Sequence, residues 1–260
     1  MSFLLDAKDV TMQFGGLTAV NQFRLQLKQG ELVGLIGPNG AGKTTVFNML
    51  TGVYQPTKGS IEFQGQSIVG KRPYEINRVG LGRTFQNIRL FKDLSVLDNV
   101  LIASHQHSTY GLLDSSFLTS KRNQEEQSLR IAAIDLLKIF KMENLIDETA
   151  GSLPYGQQRR LEIVRALATK PKILFLDEPA AGMNHSETAK LMETISEIRQ
   201  KFDLTIVLIE HDMKLVMGIC ERIVVLDHGV IISEGNPKHI QNDPKVVEAY
   251  LGPGAMEILS

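Results

Sequence analysis

Residues 37–45 read Gly37-Pro38-Asn39-Gly40-Ala41-Gly42-Lys43-Thr44-Thr45, a short stretch with three glycines and one lysine. It fits the pattern G-x-x-x-x-G-K-[ST], in which glycines let backbone amides wrap closely round phosphate oxygens. Lys43 is expected to reach the β- and γ-phosphates of a nucleotide, and the Thr44 hydroxyl is expected to bind Mg²⁺. Residues 31–36 form an apolar run typical of a buried strand, and residues 44–50 have the apolar spacing of a helix. A plain glycine-rich turn would not need this setting, so the stretch predicts nucleotide binding by all nine residues.

Composition restricts the class of protein. The chain has 260 residues, of which 43% are hydrophobic and 22% charged, as is ordinary for a folded globular protein. A net charge of -1 gives no attraction toward nucleic acid or anionic lipid. The single cysteine, Cys220, excludes an internal disulfide, suits a reducing cytosol, and is expected to be core rather than a reactive thiol. No apolar run approaches the ~20 residues that cross a bilayer, and Asp6 comes too early for a signal peptide. Attachment to a membrane would therefore require another protein.

The order of predicted elements divides the chain into strand-rich and helical parts. Residues 5–14 and 19–27 are two candidate strands joined by a glycine turn, and residues 60–64 alternate like a third. Strands in this position predict an antiparallel sheet beside the nucleotide-binding core. Helical patterns dominate from about residue 87 to 155, with an apolar stripe of helical period in the second half. The polar residues 104–127 within that part are expected to form a surface excursion.

Two acids follow a second buried strand. Residues 173–176 form an apolar run that ends at Asp177 and Glu178, and such runs suit parallel strands buried on both faces. Ligands of open α/β sheets bind at the carboxyl ends of the strands. Asp177 is therefore a candidate partner of Mg²⁺, and Glu178 could orient or deprotonate an attacking water. The alternative interpretation, that Asp177 and Glu178 are two solvated acids of a turn, is disfavoured because the chain also contains a phosphate-binding loop.

A further motif identifies the family that the chain resembles. Leu153-Pro154-Tyr155-Gly156-Gln157 lies ahead of a predicted helix over residues 162–168, which leads into the strand with the two acids. The motif resembles the signature of ABC-type ATPases, usually written L-S-G-G-Q. The family's other motif residues occur in the expected order: Gln86, Asp177, Glu178 and His211. The resemblance covers nearly the whole chain.

The resemblance implies the fold class. It implies a P-loop NTPase of the α/β class, with a RecA-like core, an antiparallel β subdomain and an inserted α-helical subdomain. The whole chain, residues 1–260, is then a single ABC ATPase domain. Residues 1–86 and 156–260 form the nucleotide-binding core with its β subdomain. Residues 87–155 form the helical subdomain that ends in the signature, and residues 233–260 form a C-terminal tail.

The resemblance also implies roles in binding and hydrolysing ATP with Mg²⁺. Phe14 resembles the aromatic residue that stacks on adenine, although its spacing alone would also suit core packing. Residues 80–87 are expected to form a strand with Gln86 at its end, where the family's glutamine touches Mg²⁺ or the attacking water. The remaining roles are phosphate binding and charge neutralisation by Lys43, support of Mg²⁺ by Asp177, general base catalysis by Glu178 and contact with the γ-phosphate by His211.

The signature of one subunit is expected to complete the nucleotide site of another. The residues that would contact the ATP of the opposed subunit are Leu153, Pro154, Tyr155, Gly156 and Gln157. Pro154 stands where the family usually has serine, and Tyr155 stands where it has glycine. Proline has neither a hydroxyl nor an N–H, so one usual contact to the γ-phosphate is missing. Asn184 is likewise neutral where the loop after the two acids commonly ends in aspartate.

Two further stretches favour one branch of the family. Residues 82–91 and 235–252 resemble the ATPase subunits of branched-chain amino-acid importers. The ATPase of lipopolysaccharide export shares much of this pattern but usually keeps the serine-glycine-glycine signature. Importers of other amino acids, amides or urea are also related. Relatives that act on DNA ends or ribosomes are disfavoured, because residues 87–155 are too few for a long coiled coil and the chain holds one such domain.

This branch implies partners and a location. A second ATPase subunit, either the same chain or a homologous one, would complete the dimer. Two membrane-spanning permease subunits would hold that dimer on the inner, cytoplasmic face of the membrane, and an extracytoplasmic substrate-binding protein would act indirectly. Ile88, Leu90 and Phe91 are candidate contacts for the coupling helices of the permease, and packing between subdomains is the alternative. No nucleic acid partner is expected.

Overall fold

The computed structural model describes residues 3–107 and 120–252. The predicted surface excursion over residues 104–127 and the predicted tail over residues 233–260 therefore lie partly outside the described residues. Within the described part, the chain forms two sheets with helices packed against them.

A mostly parallel sheet forms the centre of the molecule. Its six strands in the described part of the chain lie in the order β10-β9-β3-β8-β7-β6. The strands are β3 (Leu32–Ile36), β6 (Leu81–Arg83), β7 (Ile173–Asp177), β8 (Thr205–Ile209), β9 (Arg222–Asp227) and β10 (Val230–Gly235). Neighbours are parallel except β9 and β10, which form a hairpin. All residues of β3, β7 and β8 are buried, as the continuous apolar runs of a sheet covered on both faces require.

An antiparallel sheet packs beside the parallel one. Its strands lie in the order β2-β1-β4-β5. They are β1 (Leu5–Phe14), β2 (Leu17–Leu27), β4 (Lys58–Phe63) and β5 (Gln66–Ser67). The register pairs Leu5 with Leu27 at one end of the first hairpin and Phe14 with Leu17 at its turn. The antiparallel sheet predicted from the sequence is therefore confirmed.

Helices surround the parallel sheet. They are α1 (Lys43–Leu50), α2 (Pro73–Val79), α3 (Val96–Ser104), α4 (Ser120–Ile139), α5 (Tyr155–Ala168), α6 (His185–Lys201), α7 (Met213–Ile219), α8 (Pro237–Gln241) and α9 (Pro244–Leu251). Among the residues that the structure describes, no helix combines the length and the apolar character needed to cross a bilayer. The start of α6 is capped by Asn184, whose side chain accepts the amide hydrogen of Glu187 at 3.0 Å.

The helix that follows the signature begins earlier than predicted. It starts at Tyr155, not at Glu162, so the predicted start was wrong. Pro154 has an extended backbone, and its carbonyl oxygen accepts the amide hydrogens of Gln157 and Gln158. These bonds form the first helical turn inside the motif itself. Most of the signature is therefore helical.

The strand predicted over residues 80–87 is also shorter than expected. The strand β6 and its pairing with β7 both end at Arg83. Beyond that point, the carbonyl oxygens of Phe85 and Gln86 accept hydrogen bonds from the side chain of Arg159 on α5. Gln86 therefore lies in a segment held by α5, not at the end of a strand.

The two faces of the parallel sheet carry separate apolar cores, because successive residues of each strand point to opposite sides. On one side, Leu174 and Leu176 pack with helices α3 to α7. On the other side, Phe175 packs with α1 and the antiparallel sheet. The rings of Phe47 on α1 and Phe175 meet edge to face, with centroids 5.3 Å apart. The phosphate-binding loop therefore leads into a helix that is fixed in the core.

Cys220 belongs to the core that contains Leu174 and Leu176, and its burial confirms the sequence prediction. It is 5% exposed, and its Sγ lies 3.0 Å from the place of a Cβ on Gly34 in β3. Burial raises the pKa of the thiol to about 12. We expect a disulfide reagent to modify the native chain at least ~100-fold more slowly than the chain unfolded in guanidinium, because the thiolate is scarce and shielded. Comparable labelling rates in the two states would contradict this placement.

Candidate nucleotide-binding site

The phosphate-binding loop joins β3 to α1 and depends on its glycines. Gly37 and Gly42 have φ angles of 150° and 103°, which side chains disfavour. A Cβ atom on Gly37 would lie 1.9 Å from the carbonyl oxygen of Leu226 in β9. A Cβ atom on Gly42 would lie 2.8 Å from the carbonyl oxygen of Ala19 in β2. The loop is wedged between two strands, so only glycine fits at these positions.

A cavity of about 490 Å³ lies over this loop. It is lined by Leu17, Thr18, Ala19, Asn39, Gly40, Ala41, Gly42, Lys43, Thr44, Thr45, Gln86, Glu178 and His228. The cavity brings residues 39–45 of the loop together with two distant predicted site residues, Gln86 and Glu178. Gly37 and Pro38 lie outside the lining, and Pro38 borders a separate cavity between the loop and α9.

The Lys43 ammonium group is held by the loop itself. Its Nζ atom donates to the carbonyl oxygens of Gly37 at 2.6 Å and of Pro38 at 2.9 Å. Burial lowers the pKa of Lys43, and the nearby carboxylates of Glu178 and Asp177 oppose that shift. A cation placed in this way can bind phosphate oxygens with little further loss of side-chain freedom.

Substitution of Lys43 tests the loop as a phosphate site. We expect Lys43→Ala to weaken ATP binding by at least ~10-fold, because a hydrogen bond to a charged group contributes about 1.5–3 kcal/mol. Calorimetric titration of the purified chain measures the change. Lys58→Ala, at an exposed position of β4, is the matched control and should bind ATP as the unsubstituted chain does. Equal affinities of the two variants would contradict the assignment of the loop.

Glu178 and Gln86 meet at the edge of the cavity. The Gln86 Nε2 atom donates to Glu178 Oε2 at 3.3 Å. Glu178 follows β7 with φ 47°, a left-handed conformation that is costly for a residue with a Cβ atom. Its amide donates to the carbonyl oxygen of Ile209 in β8 at 2.9 Å, which holds the residue in that conformation. The strained backbone places the carboxylate in the cavity lining.

Asp177 is buried at the end of β7 and pairs with Arg83. Arg83 Nη2 lies 3.0 Å from Asp177 Oδ2, and Arg83 Nη1 donates to the side chains of Asn48 and Thr51. Burial raises the pKa of Asp177, and the Arg83 guanidinium opposes that shift. Arg83 therefore connects this aspartate to α1, a role that no sequence pattern indicated.

The oxygen donors around the loop fit Mg²⁺. The Thr44 hydroxyl belongs to a residue of the cavity lining, and Asp177 directly precedes Glu178. No group of three or more His, Cys, Asp or Glu residues suited to a metal ion occurs within residues 3–107 and 120–252. A hydroxyl and a carboxylate are oxygen ligands of the kind that Mg²⁺ takes, usually one or two carboxylates together with water and substrate phosphates.

A buried glutamate supports the turn that carries Glu178. Glu210 follows β8, is 2% exposed, and accepts the amide hydrogens of Ala180 at 3.0 Å and His211 at 3.3 Å. Burial raises the pKa of Glu210, and these two amides oppose the shift. Because Ala180 lies two residues after Glu178, Glu210 fixes the turn behind the carboxylate. Sequence reasoning missed Glu210, since an acid at a strand end resembles a solvated turn residue.

Some predicted residues do not line the cavity. Phe14 is 43% exposed, and its ring packs edge to face against Tyr54 with centroids 5.3 Å apart. His211 is exposed, with Nδ1 3.8 Å from Glu210 Oε2. The signature, residues 153–157, lies at the start of α5 and is also outside the lining. The nucleotide contacts of these residues stay predictions.

Two further residues lie near the phosphate-binding loop, and no sequence pattern placed them there. His228 lines the cavity from the turn between β9 and β10, and its Nδ1 lies 2.8 Å from Asp227 Oδ1. Tyr250 on α9 lies near Gly37; burial raises the pKa of its phenol, and the Gly37 backbone opposes the shift. Residues 228 and 229 form the hairpin turn between β9 and β10. Its closeness to the loop follows from the pairing of β9 with β3, which no local pattern reveals.

A glycine-rich loop between a buried parallel strand and a helix, with acids at the end of another strand, defines a P-loop nucleotide-binding protein. The family model described as ABC transporter matches residues 20–181. A second model, described as branched-chain amino acid ATP-binding cassette transporter, matches residues 230–252. The chain belongs to the ABC transporter family and is an ABC-type ATPase. The family and the fold class predicted from the motifs are confirmed.

Known relatives align along almost the whole chain. High-affinity branched-chain amino acid transport ATP-binding protein BraF of Pseudomonas aeruginosa is 46% identical over 249 residues, covering 96% of this chain and 98% of that protein. Its counterpart LivG of Escherichia coli K12 is 49% identical over 250 residues, with the same coverage. A crystal structure of the ADP conformation of an ATP-binding cassette of an ABC transporter aligns with a TM-score of 0.83 at 32% identity. That alignment covers 97% of this chain and 100% of the solved one.

Proposed function

We propose that the chain is the ATP-binding and ATP-hydrolysing subunit of an importer that takes up branched-chain amino acids across the cytoplasmic membrane. The observation that carries the proposal is the cavity in which Gln86 and Glu178 meet the phosphate-binding loop. BraF and LivG are named as branched-chain amino acid transport ATP-binding proteins, which supports the proposed cargo. The match over residues 230–252 supports the same branch of the family.

The residues around the cavity divide the work of hydrolysis. Loop amides and Lys43 bind the β- and γ-phosphates and neutralise charge on the transferred phosphoryl group. Glu178 holds the attacking water in line with the γ-phosphate and accepts its proton. Gln86, hydrogen-bonded to Glu178, orients the same water. Thr44 and Asp177 hold Mg²⁺, which supplies further charge neutralisation when bound.

The cavity is one half of a composite site. The signature at the start of α5 does not line the cavity of its own chain. The Gln157 and Gln158 amides bond to the Pro154 carbonyl oxygen, which leaves the Tyr155 and Gly156 amides at the start of the helix to face a second subunit. Two ATPase subunits, either identical or homologous, meet head to tail, so that the backbone of residues 153–157 of one closes over the phosphates held by the other. In the closed dimer, Phe14 stacks on adenine and His211 contacts the γ-phosphate.

Phe91 is the predicted coupling residue with the most accessible side chain. It is 47% exposed, whereas Leu90 and Ile88 are half-buried, and Leu90 packs against the core. The Arg165 guanidinium lies 5.0 Å from the centre of the Phe91 ring, and the Phe91 amide donates to the side chain of Asn99. At the cytoplasmic face, the coupling helix of one permease subunit docks on the Phe91 ring of one ATPase subunit, and that of the second permease subunit docks on the other ATPase subunit. A substrate-binding protein delivers the cargo on the other side of the membrane.

Substitution of Phe91 tests the docking surface. We expect Phe91→Ala to leave ATP affinity unchanged and to reduce the amount of chain that co-purifies with permease subunits by ~10-fold, since buried aromatic anchors dominate interfaces. Phe202→Ala removes a ring that is exposed to a similar extent, 41%, and is the control. Equal co-purification of the two variants would place the permease contact elsewhere.

Reconstitution tests the proposed function as a whole. The chain is expressed with candidate permease subunits and a partner ATPase, and the complex is placed in vesicles. Leucine, isoleucine or valine on the binding protein should increase ATP hydrolysis several-fold and should accumulate in the vesicles. Stimulation of ATP hydrolysis by lipopolysaccharide, amides or urea in place of these amino acids would overturn the assignment of the cargo. Absence of ATP hydrolysis in every complex would overturn the role as energy-supplying subunit.

A further inference from the structure

We propose that Tyr155 is a positioning residue that joins the signature to the Gln86 segment, residues 85–91, and to the Gly182 loop, residues 180–184. The inference rests on the ATPase function proposed above. Tyr155 is the first residue of α5 and stands where related signatures have glycine. Glycine has no side chain with which to make these contacts, so the connection is a property of this form of the signature.

Arg159 connects Tyr155 to the Gln86 segment. One turn along α5 from Tyr155, Arg159 donates to the phenol oxygen from Nε at 3.2 Å and from Nη2 at 2.8 Å. The same guanidinium donates to the carbonyl oxygens of Phe85, at 2.8 Å, and of Gln86. Arg159 is 3% exposed, so its hydrogen bonds are made to protein groups in place of water. The phenol therefore helps to set the position of the cation that holds Gln86.

Glu162 holds the same segment from the next turn of α5. Its Oε1 atom accepts the amide hydrogens of Phe85 at 3.2 Å and Arg89 at 3.3 Å, and its Oε2 atom lies 3.6 Å from Arg159 Nη1. Arg165 adds a hydrogen bond to the carbonyl oxygen of Arg89. The backbone of the Gln86 segment is thus attached to α5 at both its amides and its carbonyls, and it shifts when α5 shifts.

The ring of Tyr155 lies against the Gly182 loop. A Cβ atom on Gly182 would lie 2.9 Å from Cε1 and 3.1 Å from Cδ1 of Tyr155, so the ring occupies the space that a side chain would fill. Gly182 has φ 75°, which also favours glycine. The loop begins beside the candidate base, because the Ala181 amide donates to the carbonyl oxygen of Glu178 at 3.1 Å. Tyr155 therefore contacts the turn behind Glu178 as well as the arginine that holds Gln86.

These contacts give Tyr155 a role in coupling. The signature serves the nucleotide of the opposed subunit, while Gln86 and Glu178 serve the nucleotide of their own chain and Phe91 lies at the end of the Gln86 segment. When the permease docks and moves the Gln86 segment, Arg159 and Tyr155 transmit the movement to the signature and to the Gly182 loop. Both halves of the composite site then close together, so loss of the connection lowers the rate of turnover and leaves ATP affinity unchanged.

Hydrogen exchange of the isolated chain tests the connection. Tyr155→Phe keeps the ring and removes the acceptor of Arg159, and we expect exchange in peptides over residues 85–91 to become ~10-fold faster, about the loss of one hydrogen bond. Exchange over residues 37–45 should not change. Tyr74→Phe, which removes the hydroxyl of an exposed tyrosine on α2, is the control. Identical exchange over residues 85–91 in Tyr155→Phe and the control would overturn the proposal.

Kinetics of the complex with its membrane partners provide the second test. We expect Tyr155→Phe to lower kcat for ATP hydrolysis by ~5–10-fold with KM for ATP within twofold, because ATP binding uses the separate loop at residues 37–45. A raised KM with unchanged kcat would show that the Tyr155 hydroxyl contacts the nucleotide directly and not Arg159, which overturns the positioning role. If the unsubstituted complex does not hydrolyse ATP, the proposed function fails, and hydrogen exchange still decides whether Tyr155 positions residues 85–91.

Discussion

Glu178→Gln is expected to retain ATP binding and to lower turnover by ~10²–10⁴-fold, the contribution usual for a general base. Glutamine has nearly the shape of glutamate, so the left-handed backbone at this position and the packing around it are preserved. An amide does not accept a proton from water in the working pH range. Affinity is retained because ATP binding rests on residues 37–45, which the substitution does not touch.

Phosphate release by the complex with its membrane partners measures the rate, and calorimetry measures the affinity. Gel filtration with ATP should show accumulated dimers of Glu178→Gln, because hydrolysis is what opens the dimer. Glu193→Gln makes the same chemical change on the exposed face of α6 and should turn over as the unsubstituted chain does. A rate for Glu178→Gln equal to that of this control would remove Glu178 from the role of base.

The phosphate-binding loop and its sheet could be predicted because their constraints are local. The glycines of residues 37–42 permit backbone angles and close approaches that other residues cannot adopt. The pattern of glycines in the sequence is therefore enough to predict the loop. The strands β7 and β8 are continuous apolar runs because both of their faces are covered. In both cases one segment of sequence contains the information.

The start of α5 could not be predicted in the same way. Gln157, Gln158, Arg159 and Arg160 form a polar run, and helical periodicity treats such a run as solvent-exposed. In the structure Arg159 is 3% exposed and Glu162 is 4% exposed, since they pair with each other and with the backbone of residues 85–89. The backbone groups that they bind lie more than 70 residues away in the sequence. The predicted helix therefore began at Glu162, where apolar spacing resumes.

Arg83 was missed for the same reason, because its partner Asp177 is also distant in the sequence, and we expect its substitution to be strongly destabilising. Arg83→Met should lower the free energy of unfolding by ~3–5 kcal/mol, because it leaves Asp177 buried without its partner. The Arg83 side chain is 7% exposed and that of Asp177 is 3% exposed. Arg83 also donates to Asn48 on α1 at 2.7 Å and to Thr51, the residue after α1, at 2.9 Å. Urea unfolding without nucleotide or Mg²⁺ measures the loss.

A second substitution separates the unpaired charge from the lost contacts with α1. Asp177→Asn combined with Arg83→Met should recover most of the loss, because a buried amide costs less to desolvate than a buried carboxylate. Arg24→Met breaks an ion pair whose arginine side chain is 73% exposed, so this control should cost less than about 1 kcal/mol. A cost for Arg83→Met no larger than the control would show that the buried pair contributes little. A double variant no more stable than Arg83→Met would assign the loss to the contacts with Asn48 and Thr51, and not to the carboxylate of Asp177.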